Sequence, residues 1–157
     1  MSFNLLKGKR GIIFGALNDA SIAWKVAERV VEEGAQIVLT NTAVACRMGT
    51  IDELAKKTGA TVIPADATSV EDLNNLFVKA QEALGGKIDF VLHSCAMSVN
   101  MRKKRTYDDL DYGFLDKTLD ISAISFHKML QVAKKLDALN DEASVLALTY
   151  VASHRTF

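Results

Sequence analysis

A glycine turn between an apolar run and an amphipathic segment is the part of this sequence best suited to chemistry. The apolar residues 12–14 end at Gly15, and a helical pattern begins at Ser21 after a short loop. A buried strand, a tight glycine turn and the outward-facing N–H groups of a helix together bind a phosphate or pyrophosphate group. The spacing departs from G-x-G-x-x-G, because Asn18 and Ser21 replace its second and third glycines. An ordinary strand-to-helix turn capped by Ser21 is therefore the alternative.

Polar and small residues follow the other apolar runs, where parallel strands would present their carboxyl ends. Ligands of open parallel sheets bind at this edge, near the point where the strand order reverses. Asp66 directly follows an apolar run, and its carboxylate can accept a hydrogen bond from an adenine amino group. The small residues Ala67, Ser94 and Ala96 allow a ribose and a nicotinamide ring to approach the backbone closely. We therefore expect a nucleotide at this edge.

The end of the second apolar run is less typical of a dinucleotide site. It carries Thr42, and no aspartate or glutamate that would hold a ribose 2′-hydroxyl group. Arg47 lies a little further along the chain and has two interpretations. It could bind the 2′-phosphate of NADP, or it is a solvated helix residue, which is the more ordinary interpretation.

These residues reach one edge only if a parallel sheet positions them, and the hydrophobic pattern predicts such a sheet. Strands are predicted at residues 12–14, 35–41, 60–65, 88–93 and 144–151, and helical patterns lie between them. The strands are too continuously apolar to have a solvated face, so helices should cover both faces. The predicted fold is an α/β, Rossmann-like, doubly wound parallel sheet with the strand order 3-2-1-4-5, within a single domain over residues 1–157.

Several of the predicted helices have recognisable ends and faces. Gly34 and Gly59 close the first two helices, and Ser69 with Asp72 forms a capping-box start for the third, which Gly85 ends. The first helix carries an apolar stripe that we expect to face the core, namely Ile22, Ala23, Val26, Ala27, Val30 and Val31. The longest helix, predicted at 112–139, carries Ile121, Ile124, Met129, Leu130, Ala133 and Leu136.

The composition is typical of a soluble globular domain. Apolar residues make up 49% of the chain and charged residues 24%, and 19 basic residues balance 19 acidic ones. This balance does not favour a nucleic acid or an anionic membrane as a partner. No apolar run approaches the roughly 18 residues of a membrane helix, and the N-terminus is too weakly apolar for a signal peptide. Cys46 and Cys95 lie far apart without a C-x-x-C motif, which fits free thiols in a reducing cytoplasm.

The order of the motifs along the chain is more specific than any one of them. The chain carries five motifs in this order: Gly-Lys-Arg-Gly-Ile-Ile-Phe-Gly-Ala, Ser-Ile-Ala-Trp, Asp-Ala at 66–67, His-Ser-x-x-Met-Ser at 93–98 and Leu-Thr-Tyr at 148–150. This pattern resembles the bacterial enoyl-acyl-carrier-protein reductases, which are divergent short-chain dehydrogenases of fatty-acid elongation. Ordinary short-chain dehydrogenases, including ketoacyl reductases, carry T-G-x-x-x-G-I-G and N-N-A-G at these places. Their absence disfavours a ketoacyl reductase.

The resemblance implies roles for the residues at the predicted sheet edge. The implied cofactor is NADH, with NADPH as the alternative, and the chain is placed in the cytoplasm. The implied cofactor contacts are Gly15, Ser21 and Ile22 for the pyrophosphate, Thr42 for the adenosine, Asp66 and Ala67 for the adenine, and Cys95 for the nicotinamide ribose, beside the small residues Ser94 and Ala96.

The resemblance also implies the substrate and the reaction. Ser98 would lie at the acyl substrate, and Tyr150 matches the first of the family's two active-site tyrosines. The implied reaction is hydride delivery from NADH to the β-carbon of a trans-2-enoyl thioester on acyl carrier protein, while an active-site hydroxyl stabilises the enolate oxygen. The helix predicted at 112–139 corresponds to one that builds the subunit interface in this family, so a homo-oligomer is expected, a tetramer in the full-length family members.

The sequence departs from the family in two ways. Cys95-Ala96 stands where the family has isoleucine and glycine, and a methyl group at 96 would press on a place where backbone and cofactor nearly touch. Cys95 is better interpreted as a small apolar residue lining the cofactor site than as a reactive thiol. The family's catalytic tyrosine and its lysine, spaced Tyr-x6-Lys, are absent from the residues after Tyr150.

The second departure leads to three expectations. Residues 1–157 should form an incomplete sheet whose fifth strand is an exposed, association-prone edge. They should also have no reductase turnover by themselves. A non-catalytic dinucleotide-binding module of the same family is the alternative function, and a coding sequence downstream that supplies Tyr-x6-Lys would favour the enzyme.

Other candidate sites are weaker. His93, His127 and His154 are too scattered for metal-ligand spacing, which favours structural or surface roles. No G-x-S-x-G motif surrounds Ser94, so a hydrolase nucleophile is disfavoured. The basic run at 102–105 could attract an acidic carrier protein, although a solvated loop is the simpler interpretation.

Overall fold

The fold is a five-stranded parallel sheet. The computed structural model describes residues 2–150 and 154–155. Its strands are β1 (Arg10–Phe14), β2 (Gln36–Thr40), β3 (Thr61–Val62), β4 (Ile88–His93) and β5 (Leu139–Ala147). Their order is β3-β2-β1-β4-β5, with every neighbouring pair parallel. The predicted α/β fold class and the predicted strand order are therefore confirmed.

Helices connect the strands and cover both faces. They are α1 (Ile22–Glu32), α2 (Ala43–Met48), α3 (Ile51–Thr58), α4 (Val70–Leu84), α5 (Val99–Arg102), α6 (Tyr112–Leu119) and α7 (Ser125–Lys135). A 3₁₀ turn lies at Tyr107–Asp109, and a π-helical turn at Asp120–Ile124 joins α6 to α7.

The core has two halves, because successive side chains of a strand point to opposite faces. Ile12 and Phe14 of β1 pack on one face with residues of α4 and α7, including Phe77 and Met129. Ile13 packs on the other face with residues of α1 and α3. Both faces of the central strands are therefore buried.

Strand β1 is the central strand and defines the switch in strand order. Phe14 pairs with Thr40 of β2 on one side and with His93 of β4 on the other. The chain first builds outward from β1 through β2 to β3, and then returns to the opposite side of β1 for β4. Ligand crevices of doubly wound sheets form at this reversal, outside the carboxyl ends of the strands.

The third strand is shorter than predicted, because only Thr61–Val62 of the predicted segment 60–65 forms a strand. Beyond it, the amides of Ile63 and Ala65 still donate to β2 and the residue after it, at 2.9 and 3.0 Å. Pro64 lies between them and has no N–H group to donate. An N–H group at position 64 would point away from β2, so the proline does not interrupt the pairing with β2.

The predicted helix 112–139 and the predicted strand 144–151 are both wrong in their boundaries. The π-helical turn divides the helix, which ends at Lys135, and β5 begins at Leu139. The early part of β5 is polar, so the hydrophobic pattern did not predict it as a strand. The pairing of β5 with β4 is also irregular between Ile88 and Phe90. Strand β5 ends at Ala147, and residue 151 lies outside the described residues.

Strand β5 is the sheet edge that the sequence predicted, but it is not a buried strand. Its residues are all exposed or half-buried, with Leu146 62% exposed. The expectation that every strand lacks a solvated face is therefore wrong for β5. An edge strand pairs with β4 on one side only, so it tolerates polar residues that a central strand does not.

The core-facing side of α1 also differs from the prediction. Ile22 is 63% exposed, whereas Trp24, which the predicted stripe omits, is buried beside Ala23 and Ala27. Ile22 occupies the first position of the helix, and its side chain is not part of the core. Helix α2 was not predicted.

The predicted helix ends are largely confirmed. Gly59 and Gly85 end α3 and α4 in the left-handed conformation, with φ of +69° and +71°. Ser69 Oγ accepts a hydrogen bond from the Asp72 amide at 3.2 Å and caps α4. Over the ranges 2–150 and 154–155, no helix combines the length and apolar character needed to cross a membrane, and no cluster of histidine, cysteine or acidic residues suited to a metal ion occurs.

Candidate active site

The residues predicted to bind a dinucleotide lie after the carboxyl ends of the strands. All five strands are parallel, so these ends meet at one edge of the sheet. The residues at this edge are Gly15 after β1, Thr42 after β2, Asp66 and Ala67 after β3, Ser94, Cys95, Ala96 and Ser98 after β4, and Tyr150 after β5. Their roles as ligand contacts remain predictions.

Gly15 lies at the switch point, where β1 and β4 end side by side. Its amide donates to the Thr40 carbonyl at 3.0 Å, and its φ is +88°. A Cβ atom at this position would overlap the carbonyl oxygen of Ser94 and lie 2.8 Å from the carbonyl carbon. Glycine is required here twice, by the left-handed backbone and by the contact with the neighbouring strand end.

The loop after Gly15 is held by its own polar side chains. Ser21 Oγ accepts hydrogen bonds from the amides of Leu17 and Asn18 at 3.2 and 3.1 Å, and Asn18 Oδ1 accepts one from Ala20 at 3.2 Å. Ser21 is the N-cap residue of α1, but its side chain makes no capping bond to the helix. The alternative interpretation, an ordinary turn capped by Ser21, is therefore wrong about the serine side chain, because the hydroxyl holds the loop and not the helix.

The first turn of α1 is consequently left open. Among the described residues, no carbonyl or side chain accepts a hydrogen bond from the Ile22 or Ala23 amide. No acidic residue lies in this first turn, whereas Glu71 and Asp72 occupy the first turn of α4. The positive end of the α1 dipole and its free N–H groups are thus available to an external anion.

The end of β2 is tied to the loop after β1. Asn41 donates from Nδ2 to the Ala16 carbonyl at 3.1 Å and accepts from the Thr42 amide at 2.9 Å. Thr42 Oγ1 accepts from the Ala45 amide at 3.2 Å and caps α2. Arg47 is exposed in the last turn of α2, and its two interpretations remain predictions.

The turn after β3 is held from two sides. Asp66 Oδ1 accepts from the amide and the hydroxyl of Thr68 at 2.8 and 2.7 Å, and the Asp66 amide donates to Asp72 at 2.9 Å. Lys128 Nζ of α7 donates to the Thr68 carbonyl at 2.9 Å and pairs with Asp120 at 2.8 Å. Within the described residues Asp66 Oδ2 accepts no hydrogen bond, so one carboxylate oxygen remains for a ligand.

Cys95 forms part of an apolar wall beside this turn. Its side chain packs against the core half that contains Ala67. Burial, together with the negative charge of Asp66, raises the pKa of the Cys95 thiol to about 12. The thiol is therefore protonated at neutral pH, which agrees with a wall residue and not with a nucleophile.

Ser98 and Tyr150 follow neighbouring strands. Ser98 Oγ accepts from the Met101 amide at 3.4 Å as the N-cap of α5. The Tyr150 side chain is 68% exposed and lies two residues beyond Leu148, whose amide donates to the His93 carbonyl at 3.1 Å. Strand pairing thus places both residues at the end of the β4–β5 pair.

His93 is a buried core residue, in agreement with the structural role expected for it. Its side chain is 2% exposed and its Nε2 lies 2.8 Å from Ser125 Oγ. Since the Ser125 hydroxyl donates to the Ile121 carbonyl at 2.7 Å, the network assigns the proton to His93 Nε2. Burial lowers the pKa of His93, so the neutral form is favoured in the folded protein.

We therefore expect the folded protein to lose stability as the pH falls below the ordinary histidine pKa of about 6.5. His93 has a lower pKa in the folded protein than in the unfolded chain. As the pH falls, the unfolded chain therefore binds a proton at this residue first, and protonation favours unfolding. Urea unfolding between pH 7.5 and 5 measures the effect. His93→Gln should remove this part of the pH dependence, whereas the exposed His127→Gln should retain it.

Two other polar pairs at this edge were not predicted. Ser122 Oγ bonds the amide and the carbonyl of Met97, and the Asn100 side chain bonds the amide and the carbonyl of Asp111 at 3.1 and 3.0 Å. Serine and asparagine have no distinguishing local pattern, and the Ser122 bonds span 25 residues. Sequence reasoning had no signal for them.

Comparisons with known proteins agree with this arrangement. A family model described as Enoyl-(Acyl carrier protein) reductase matches residues 15–157. Enoyl-[acyl-carrier-protein] reductase [NADH] 1 of Rhizobium meliloti (strain 1021) is 36% identical over 152 residues, which are 96% of this chain and 54% of that protein. Enoyl-[acyl-carrier-protein] reductase [NADH] FabI of Rickettsia bellii (strain RML369-C) is 33% identical over 99% of this chain and 58% of its own length.

A solved structure is similar over the same length. The crystal structure of the FabI–NADH complex from Alistipes finegoldii matches 99% of this chain with 69% identity and a TM-score of 0.97. The matched region is 55% of that structure's chain. The chain thus spans little more than half the length of the proteins that it is similar to.

Proposed function

Since the chain belongs to the enoyl-(acyl carrier protein) reductase family, we propose that it binds NADH and serves the reduction of enoyl-acyl-carrier-protein in fatty-acid synthesis. The single observation that carries the proposal is the contact between Gly15 and the Ser94 backbone beside the open first turn of α1. The absence of a Cβ atom at Gly15 lets β1 and β4 end side by side, and the first turn of α1 presents free N–H groups at this switch point. These N–H groups suit a pyrophosphate.

The adenine end of the cofactor has matching partners after β2 and β3. Asp66 Oδ2 is available as an acceptor for an adenine amino group, while Oδ1 holds Thr68. Ala67 supplies a small apolar surface beside it. Thr42 keeps its own O–H group for the adenosine, because its oxygen only accepts in capping α2.

The nicotinamide end belongs to the segment after β4. Ser94 faces Gly15 through its backbone, and Cys95 contributes a protonated, apolar side chain. Ala96 is exposed at the same edge. Bound NADH supplies the hydride for the β-carbon of the enoyl thioester. In this proposal the segment orients the reacting face of the nicotinamide.

We assign the substrate side of the reaction to Ser98 and Tyr150. Both follow strands that lie next to each other, and the Tyr150 phenol is exposed at that edge. A hydroxyl at this place would donate to the enolate oxygen of the thioester. The Tyr-x6-Lys pair implied by the family resemblance is not present after Tyr150, so residues 1–157 by themselves are expected to bind cofactor without turnover.

We also propose that the protein associates with copies of itself through the helical segment from α6 to the π-helical turn. Tyr112 is 76% exposed there, and Leu119 and Ile124 are each 48% exposed. Apolar side chains exposed along one segment favour association. Light scattering on the purified chain would detect it.

Titrating the chain with NADH, and then assaying NADH oxidation with crotonyl thioester, tests the proposed function. We expect saturable binding of NADH, weaker binding of NADPH, and no oxidation by residues 1–157. Absence of NADH binding would contradict the proposal. Substantial turnover would contradict the expectation that further catalytic residues are required.

A further inference from the structure

We infer that Ser122 is a positioning residue that sets the conformation of the segment 94–98 for the nicotinamide end of the cofactor. The inference rests on the proposed function, and it adds a residue to which that function gives no role. Ser122 lies in the π-helical turn and not on the strands or loops that carry the predicted contacts.

The segment 94–98 is a loop between two fixed ends. At its beginning, His93 is paired within β4 and its ring lies 2.8 Å from Ser125 Oγ. At its end, Ser98 caps α5, which Asn100 ties to Asp111. Between these ends the backbone needs a separate restraint, because a loop with no backbone ladder is free to move.

Ser122 supplies that restraint through both polar groups of one residue. Its Oγ accepts from the Met97 amide at 3.2 Å and donates to the Met97 carbonyl at 3.3 Å. In the described part of the chain no other group bonds the Met97 backbone. A serine hydroxyl has one proton and two lone pairs, so it is suited to both bonds at once.

The π-helical turn explains how Ser122 can reach the loop. Helix α6 is tied to α5 at Asp111, and α7 is anchored in the core by Met129 and to β4 by Ser125. A π-helical turn inserts one residue into the helix, which rotates the remainder of the helix by roughly 100° relative to an unbroken α-helix. Because of this insertion, Asp111 can bond Asn100 and Ser125 can bond His93 while Ser122 faces Met97.

Ser122→Ala removes both bonds and leaves the Met97 N–H and C=O groups without their partner. The predicted contacts of the nicotinamide ribose, Cys95 and Ala96, lie on the released loop, whereas the adenine and pyrophosphate contacts lie after β1, β2 and β3. We therefore expect the affinity for NADH to fall about tenfold and the affinity for ADP, which lacks the nicotinamide ribose, to stay unchanged. The Met97 amide should also exchange its hydrogen faster.

Two matched variants separate positioning from general stability. Thr118→Ala removes a hydroxyl that donates to a helix carbonyl at 2.8 Å in the adjoining α6, without touching the loop. It should leave the binding of both NADH and ADP unchanged. Ser122→Thr keeps the hydroxyl and should restore NADH binding and Met97 protection towards the wild-type values.

The experiment is titration calorimetry of the four proteins with NADH and with ADP, together with amide hydrogen exchange. A selective loss of NADH affinity in Ser122→Ala supports the inference. Unchanged NADH affinity overturns it, and so does an equal loss for NADH and ADP, which would indicate a general structural role. Absence of NADH binding to the wild-type chain contradicts the proposed function itself, and this is known before any variant is measured.

Discussion

Gly15→Ala is expected to abolish NADH binding and to lower the free energy of unfolding by about 2–5 kcal/mol, because it combines backbone strain with overpacking. The residue has φ of +88°, which alanine adopts only with strain. The new methyl group would also overlap the Ser94 carbonyl oxygen. The chain can relieve this only by separating the ends of β1 and β4, where the pyrophosphate and the nicotinamide are proposed to meet.

Gly59→Ala is the matched control for this substitution. Gly59 has a similar left-handed backbone, with φ of +69°, but nothing lies within 4 Å of the position of its Cβ atom. The free energy of unfolding of Gly59→Ala should therefore fall only by the cost of the backbone conformation, roughly 1–2 kcal/mol. This variant should bind NADH like the wild type. Urea unfolding and NADH titration measure both effects. Equal losses in the two variants would show that the contact with Ser94 is unimportant.

Phe14→Ala is expected to lower the free energy of unfolding by about 3–5 kcal/mol, the usual cost of truncating a buried phenylalanine. The Phe14 side chain is 1% exposed, and its ring centroid lies 6.0 Å from that of His93. The cavity would open directly beneath the turn at Gly15, between the central strand and α4.

Phe3→Ala makes the same chemical change at a side chain that is 69% exposed. Its cost should stay within about 0.5 kcal/mol, as for most surface substitutions. Thermal and urea unfolding of the two variants provide the comparison. A loss for Phe14→Ala no larger than that for Phe3→Ala would contradict the packing described for the central strand.

Several hydroxyl groups predicted to contact a ligand already have a structural task. Ser21 holds the amides of Leu17 and Asn18, Thr42 caps α2, and Ser98 caps α5. Each of these oxygens accepts a hydrogen bond, and the Ser21 hydroxyl also donates to Asn18 Oδ1 at 3.4 Å, whereas the hydroxyls of Thr42 and Ser98 each still have a proton to donate. The site is thus partly organised by the same side chains that are proposed to bind the ligand.

The parts of the fold that were predictable are those set by local chemistry. Strands β1, β2 and β4 lie in the interior of the sheet, so their apolar runs identify them. The ends of α3 and α4 depend on Gly59 and Gly85, whose left-handed backbone is a property of the residue type. The start of α4 depends on Ser69 in the same way.

The parts that were not predictable depend on the position of an element in the finished structure. Strand β5 begins with polar residues, so a hydrophobic pattern does not register its first half. Ile22 and Trp24 are both apolar, and only the direction of α1 across the sheet decides which one is buried. The bonds of Ser122 to Met97 join residues far apart in the sequence.

The central position of β1 also determines when the site can exist during synthesis. Arg10 at the start of β1 bonds Asp89 at the start of β4, and 79 residues separate the two. At about 5–20 residues per second, a ribosome needs roughly 4–16 seconds to deliver β4 after β1. For that interval the central strand of the nascent chain has one open side, and the glycine turn lacks its neighbour. The newborn polypeptide therefore depends on protection against aggregation until its fourth strand has left the exit tunnel.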